Sequence, residues 1–514
     1  MFFTISSGFG DSLSEDGENS MKNLAGEMVR GKGPRHRWDA VWDVIVVGSG
    51  FAGLAAAIEA HDAGARIVIL EKRRTVGGNS VIAGGVYNAV DPDRQRAQGI
   101  EDSTDLHYEQ TLAGGDFRGE PAKVRYFVEH ALEGWQRLEA MGVESFDLFQ
   151  AYGAMWPRSH RPKYGKLRNG AAIVEALHDQ VRARDIPIMR EHKVAEIYTD
   201  GARGEVLGVK VARGDETLKL RAMRGLILAS GGFCADVEMR MRHDPRFDAR
   251  FGTTCHKDST GEIIRHAQDI GADVVGMDFI QSIGPTGPDV RFVKPPVTTV
   301  PLLKSLMMRM GAITVDRCLY TDLRGRRLIA SDARRDAITE AVMRTPECAC
   351  AGICDDESRR NASYGALPVE ELEEMMRKHP REFFKADTIP ELARRIGMSD
   401  PSVLEETIQR YNSYVDAKAD PEFGQAPRNL VWKCEKPPFW AATASPALHY
   451  MCGGLRTQGA STRVLDRWNR VIPGLFAAGE VMGGVHGTNR LGGNATAECI
   501  VFGRLAGREA ASLK

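Results

Sequence analysis

No apolar run in the chain approaches the ~18–20 residues of a membrane-spanning helix, so no membrane partner is expected. Net charge is nearly nil, 68 Lys+Arg against 69 Asp+Glu leaving −1, which removes any overall pull toward nucleic acid or anionic lipid. Cysteine is scarce and odd in number, nine in 514 residues; that excludes a disulfide-built scaffold and suits a reducing compartment. The opening stretch MFFTISSGFGDSLSEDGENS lacks the basic and apolar regions of a secretory signal, and no twin-arginine signal follows. Together these features predict a cytoplasmic protein with a loose extension over residues 1–40. There is no C-x-x-C-H, hence no c-type haem attachment. Glycine pairs recur without fixed spacing, so this is not a repeat protein. What remains is globular composition, 43% hydrophobic and 27% charged, with glycine in excess at 54 residues.

Order begins at Asp43. The apolar run Val44–Val47 is stopped by Gly48-Ser49-Gly50-Phe51-Ala52-Gly53, followed by the helix-forming stretch Leu54–Ala60 and a second apolar run, Ala65–Leu70, ending at Glu71. Strand, glycine turn, helix, strand and acid within about thirty residues is the pattern of a dinucleotide site. Gly48 permits the tight turn, Gly50 lets the backbone approach a pyrophosphate, and Gly53 lets helix and strand pack closely. The helix N-terminus offers free N–H groups and partial positive charge to phosphates. Glu71 falls where a carboxylate accepts from a ribose 2′-hydroxyl, which disfavours NADP. A second glycine pair, Gly77-Gly78, precedes Asn79-Ser80, as a longer cofactor requires. Near the C-terminus, Pro473–Glu480 is again an apolar strand ending in glycine and acid, placed to bring Glu480 to a ribityl chain. Cofactor segments at both ends of the chain describe FAD threaded through one domain. The runs Val194–Tyr198, Leu226–Ala229 and Leu475–Ala478 are expected to be further strands. Between about 285 and 450 prolines gather and charged amphipathic helices are expected in VEELEEMMRKHPREFF and DPSVLEETIQRYNSYV, a texture that predicts an inserted domain.

The segments DVIVVGSGFAGLAAAIEAHDAGARIVILEK, GGNSVIAGGVYNA, PRSHRP, GLILASGGF, HYMCGG and PGLFAAGEVMGGVHGTNRLGGNATAECIVFGRLAG span Asp43 to Gly507. They resemble the flavoprotein of the fumarate reductase and succinate dehydrogenase family, especially its soluble flavocytochrome-type branch, here without a haem domain. The resemblance implies an α/β fold: a Rossmann-like FAD-binding domain, residues 41–283 and 451–514, with an inserted α+β clamp (capping) domain, residues 284–450. It implies cofactor contacts at Gly48, Gly50, Ala52, Gly53, Glu71, Lys72, Gly78, Asn79, Ser80, Gly84, Gly85, Val194, Ala229, Gly231, Tyr450, Glu480, Asn494, Ala495 and Thr496. Relatives in membrane complexes attach FAD through a histidine in the segment here reading GGNSVIAGG. This chain has none there, which implies FAD held noncovalently.

Three polar positions carry catalytic roles by the same resemblance. His449 matches the histidine that holds a substrate carboxylate, Arg490 matches the arginine that binds the same or the opposite carboxylate, with Gly493 beside it, and Arg335 matches the proton-transferring arginine. The chemistry agrees: saturating an activated C=C bond needs hydride on one carbon and a proton on its neighbour, and fixed cations stabilise the charge that accumulates. An arginine, with a free pKa above ~12, serves as acid only toward a strongly basic carbanion.

The chain also departs from the family. Gly284 stands where fumarate reducers carry a histidine, and it is grouped with Thr286 as a substrate contact. Ser305 and Met308 replace a relay glutamate and arginine, and Ala330-Ser331 an asparagine-glutamate pair. Fumarate itself is therefore not expected. The expected activity is hydride exchange between flavin N5 and an activated C–C bond of an unsaturated acid or enone, with a diffusing electron donor or acceptor. Tyr450, Tyr320 and Asp332 are the candidates to take over proton handling. The alternative is a ketosteroid-like or cyclic-ketone desaturase, favoured by the wider site at Gly284 and disfavoured by Arg335 and Arg490. A nonenzymatic flavin-binding module is a further alternative, which the His449/Arg490 pair opposes. Cys348, Cys350 and Cys354 lack a fourth ligand, so no metal is expected. His160 is read as structural, and MRMRHDPRFDAR as a solvated helix face.

Overall fold

In the computed structural model the described residues are 37–151, 153–201, 204–283, 317–361 and 368–513. Gly284, Thr286, Ser305 and Met308 lie outside them.

Val44–Val47 is buried throughout, as an apolar run in a parallel strand must be. It forms the end of strand Ala40–Val47, which pairs in parallel with Ile67–Glu71 on one side and with Glu216–Leu228 on the other. The parallel ladder continues through Ile188–Arg190 at one side and Val471–Ala477 at the other. Arg463–Leu465 closes the sheet beyond Val471–Ala477, while Val206–Arg213 and Lys193–Thr199 add antiparallel to the first half of the long Glu216–Leu228. This brings the two chain ends together: Leu226–Leu228 pairs with residues 45–47 on one edge and 475–477 on the other. The five mutually parallel strands deliver their C-terminal ends to one sheet edge, where open α/β sheets bind ligands. Helix Phe51–Asp62 and the C-terminal helix Asn494–Ser512 share the core of this sheet.

A second sheet of five antiparallel strands runs in the order Arg327–Ile329, Leu319–Thr321, Cys350–Asp355, Phe439–Ala444, Phe383–Ala386. Side chains alternate across it. Ala351 and Ile353 join one core with Leu404 and Trp432; Cys350 and Cys354 join another with Tyr320, Ile338 and Trp440. Part of the expected amphipathic helix is strand: the helix Val369–Lys378 stops before Pro380, whose ring cannot continue it, and Phe383–Ala386 becomes the sheet's edge.

The chain passes between the two sheets along one antiparallel ladder, Ile280–Ile283 against Ala447–Met451, with Gln281 opposite Tyr450. A second correction concerns MRMRHDPRFDAR. Arg240 is buried, its guanidinium donating to the carbonyls of Cys234, Phe247, Asp248 and Phe251. Four carbonyl acceptors compensate its desolvation without a carboxylate, a tertiary arrangement that charge pattern does not reveal.

Candidate active site

The glycine turn is built by close approach. Gly48 has φ +104°, and a Cβ there would meet the Ala229 carbonyl oxygen at 2.4 Å; a Cβ at Gly53 would meet the Gly48 carbonyl oxygen at 2.0 Å. Gly50 caps helix Phe51–Asp62 with no side chain of its own, and Ser80 Oγ accepts from Phe51 N at 3.0 Å. Ala52 follows, buried in the first turn. Glu71 is buried and held by Ser49, whose N–H and hydroxyl donate to Oε2, and by Arg73 N, which donates to Oε1 at 2.9 Å. Lys72 turns to Glu262 Oε1 at 2.7 Å and to the Asp258 carbonyl. Asn79 donates to Ser259 Oγ at 2.8 Å and accepts from His256 N at 2.7 Å. Gly78 opens the short helix Gly78–Ile82, and Gly84 and Gly85 follow just past its end. Val194 is a core residue facing Val211 across its ladder.

Ala229 N donates to Val47 O at 2.8 Å, and the chain then turns through Gly231. The Glu480 carboxylate lies over this turn: a Cβ at Gly232 would stand 2.6 Å from Glu480 Oε1, which accepts from Met451 N at 3.0 Å. Burial pushes Glu480 up to about 7. Asn494 opens the C-terminal helix, donating to Thr111 Oγ1 and accepting from Asn88 Nδ2; Ala495 and Thr496 complete that first turn. Around this edge several buried polar atoms have no partner among the described residues: Ser230 Oγ, both ring nitrogens of His486, Glu498 Oε1 and Gln281 Oε1. Buried polar groups of this kind call for a polar ligand. With the side-chain-free cradle at Gly48 and Gly50, they fit an extended cofactor carrying phosphates, hydroxyls and a heteroaromatic ring.

Beside this edge lie the three expected catalytic side chains. His449, on strand Ala447–Met451, is half-buried, its Nδ1 2.7 Å from Thr254 Oγ1. Burial, then the charges of Arg490 and Arg335, hold its imidazole well below the ordinary histidine range. Both arginines thus act on one ring that is neutral near pH 7. Arg490 is 5% exposed; its Nη1 donates to the Leu491 carbonyl at 3.0 Å, its guanidinium lies 4.8 Å above the Tyr450 ring, and its carbonyl accepts from Gln281 Nε2. Gly493, with φ +89°, precedes the helix and packs on Asn88.

Arg335 is the first residue of helix Arg335–Met343 and is 7% exposed. Its guanidinium lies against Gly153, where a Cβ would meet Nε at 2.3 Å. The Gly153 carbonyl accepts from Gly492 N at 2.9 Å, which ties this support to the Arg490–Gly493 stretch. Thr339 anchors the same helix to the ladder through Ser282. Its neighbour Arg334 turns outward to Asp116 at 2.6 Å and to Asp336, whose carboxylates raise its pKa.

Of the other proton-handling candidates, Tyr450 OH lies 3.4 Å from Glu498 Oε2, and burial pushes that carboxyl up to about 8. Tyr320 is packed in the second sheet's core, and Asp332 is exposed, accepting from Ala426 N and Asn429 Nδ2. His160 is buried, stacked 4.4 Å from Trp135. Sequence reasoning missed Gly153, Thr254, His486 and Glu498. Only His486 and Glu498 lay in a segment already marked by motif.

Residues 43–496 match the family model described as FAD binding domain. The chain is 36% identical over 471 residues to an NADH:fumarate oxidoreductase of Klebsiella pneumoniae, covering 91% of this chain and 48% of that protein. This chain thus spans about half the length of that relative. It is 31% identical over 495 residues to the acrylate reductase flavoprotein subunit of Shewanella woodyi, covering 92% of each. The structure superposes on the open conformation of a flavocytochrome c3 fumarate reductase with a TM-score of 0.74 at 29% identity, covering 96% of this chain and 80% of that one.

Proposed function

The chain belongs to the FAD-binding flavoprotein family of the fumarate reductases, and from that premise we propose that it reduces the C=C bond of a small unsaturated carboxylate, or runs the reverse dehydrogenation. The observation that carries this reading is that the Gly492 N–H to Gly153 carbonyl bond ties the seat of Arg335 to the stretch carrying Arg490, whose guanidinium lies 4.8 Å over Tyr450, the chain neighbour of His449. Bound FAD supplies two-electron hydride chemistry at N5.

Arg490 and His449 hold the substrate carboxylate. Their fixed charge and dipole also stabilise the negative charge that grows on the substrate, and burial strengthens both effects. Arg335 stands ready at the carbon next to the one that exchanges hydride, and it gives or takes the proton there. The glycine turn, Ser80 and the N-terminus of helix Phe51–Asp62 hold the pyrophosphate, Glu71 the ribose and Glu480 the ribityl chain. The segment Gly77–Gly85 offers no histidine, so FAD is held noncovalently. The clamp comprises residues 284–450, and electrons arrive from or leave to a diffusing carrier.

In the sequence, Gly284 stands where fumarate reducers carry a histidine for a second carboxylate. An unsaturated monocarboxylate therefore fits better than fumarate, in keeping with the likeness to an acrylate reductase. No helix among the described residues is long and apolar enough to cross a membrane. The scarcity of cysteine suits a reducing, cytoplasmic setting.

The test is anaerobic reoxidation of chemically reduced protein, followed by flavin absorbance, against acrylate and longer unsaturated monocarboxylates, fumarate and cyclic enones. Reoxidation by monocarboxylates at least tenfold faster than by fumarate is expected. Reoxidation by enones alone would replace this reading with the ketone one. Acid precipitation should leave the flavin in the supernatant.

A further inference from the structure

We propose that Thr254 is a positioning residue that fixes His449 in the tautomer with Nδ1 bare and Nε2 protonated, so that the ring donates a hydrogen bond to the substrate oxygen. The substrate-facing half of this statement rests on the function proposed above; the tautomer does not.

Residues 252–255 are zipped onto strand Ala447–Met451: Leu448 N donates to Gly252 O at 3.0 Å, Thr254 N donates to Leu448 O at 2.9 Å, and Cys255 Sγ donates to His449 O at 3.2 Å. The Thr253 hydroxyl accepts from Cys255 N at 3.0 Å and donates its proton to Leu448 O at 3.0 Å. The Cys234 thiol, also within reach of that hydroxyl, is the weaker acceptor. Both lone pairs of Leu448 O are therefore taken, by Thr254 N and by Thr253. The Thr254 hydroxyl proton then has two places to go: this filled carbonyl at 3.4 Å, or His449 Nδ1 at 2.7 Å. Distance and vacancy both select the ring nitrogen. Nδ1 accepts, so the single proton of the neutral imidazole sits on Nε2.

Nε2 has no hydrogen-bond partner among the described residues. The charged groups that act on the ring are Arg490 and Arg335, both cationic, and with burial they keep it neutral near pH 7. The opposite tautomer would point a lone pair at a substrate carboxylate and repel it. Thr254 thus converts a neutral ring into a donor without a third charge.

Two measurements on the FAD-loaded protein test this. The first is the nitrogen spectrum of [15N]histidine-labelled protein, with His449→Gln to assign the resonances. Wild type should show a protonated, pyrrole-type Nε2 and a hydrogen-bonded, pyridine-type Nδ1. Thr254→Val should shift Nδ1 to its unbonded position and admit the second tautomer, and Thr254→Ser should restore the wild-type pattern. The second is steady-state kinetics with an unsaturated monocarboxylate: Thr254→Val should raise KM about tenfold with kcat changed less than threefold, and Thr254→Ser should rescue it. A pyrrole-type Nδ1 in wild type, or an Nδ1 signal indifferent to Thr254→Val, overturns the tautomer assignment. A shifted signal with unchanged KM overturns the substrate-facing half. Should Thr254→Val fail to fold, the wild-type spectrum and Thr254→Ser still decide.

Discussion

A methyl group at Gly153 should disable the enzyme without replacing any charged or motif residue. A Cβ there would stand 2.3 Å from Nε, 2.5 Å from Nη2 and 2.6 Å from Cζ of Arg335. Ordinary contact begins at 3.4 Å, so the guanidinium must retreat by about 1 Å, a displacement that costs on the order of 10²-fold in a reaction needing near-attack geometry. The residue also sits at φ +73°, where an L side chain adds about 1–2 kcal/mol of local strain. Gly153→Ala should therefore lower kcat for an unsaturated monocarboxylate about 10²-fold. KM and bound FAD should stay within threefold of wild type, because Arg490, His449 and the glycine turn are untouched. Rapid-mixing reoxidation of the reduced protein reads the chemical step directly. The double variant Gly153→Ala/Arg335→Ala should be no slower than Arg335→Ala alone, since both act through one side chain. Wild-type kcat in Gly153→Ala, or an additive double variant, would refute the claim that Gly153 acts by seating Arg335.

Other consequences follow from the same geometry. Arg490→Ala should raise KM at least tenfold, by removing a buried cation from the carboxylate, whereas Arg335→Ala should lower kcat at least a hundredfold with KM nearly unchanged; equal effects on both constants would merge their roles. Gly53→Ala should purify with little or no FAD, read from the ratio of visible to ultraviolet absorbance, because its Cβ would lie 2.0 Å from the Gly48 carbonyl oxygen. Glu498 and Glu480, pushed up to about 8 and about 7 by burial, hold protons in the folded state that the unfolded chain loses near 4.5. Their contribution to the stability of FAD-stripped protein is thus full below about pH 4.5 and is lost as pH rises toward about 8, at up to ~1.4 kcal/mol per unit and group. Urea midpoints across that range should fall, and Glu498→Gln should flatten the decline; an unchanged slope would place the titration elsewhere.

What could be read from the residues was whatever is dictated locally. An apolar run ended by Gly48 states its own burial and turn, whereas the helix expectation ran past the stop at Pro380. Glu71 and Glu480 each follow a strand directly, so their place at the sheet edge was legible from spacing. A change in texture near residue 285 suggested an insertion, and Arg335, His449 and Arg490 stood out as positions in segments that resemble known ones. Gly153 carries no such mark, since its need for a missing side chain arises from an arginine 182 residues away. Thr254 lies in an unremarkable stretch and meets His449 only through strand pairing. Arg240 looked like surface charge because nothing local announces four carbonyls converging on it.

By itself, then, the sequence determined the cofactor cradle and the α/β order, because steric permission at glycine and the period of apolar residues act between near neighbours. The tertiary structure alone decided which arginine of the pair Arg334-Arg335 faces inward, which protons the buried carboxyls keep, and which nitrogen of His449 is bare. Those choices depend on desolvation and hydrogen-bond geometry between segments hundreds of residues apart, and such energies exist only once the segments meet.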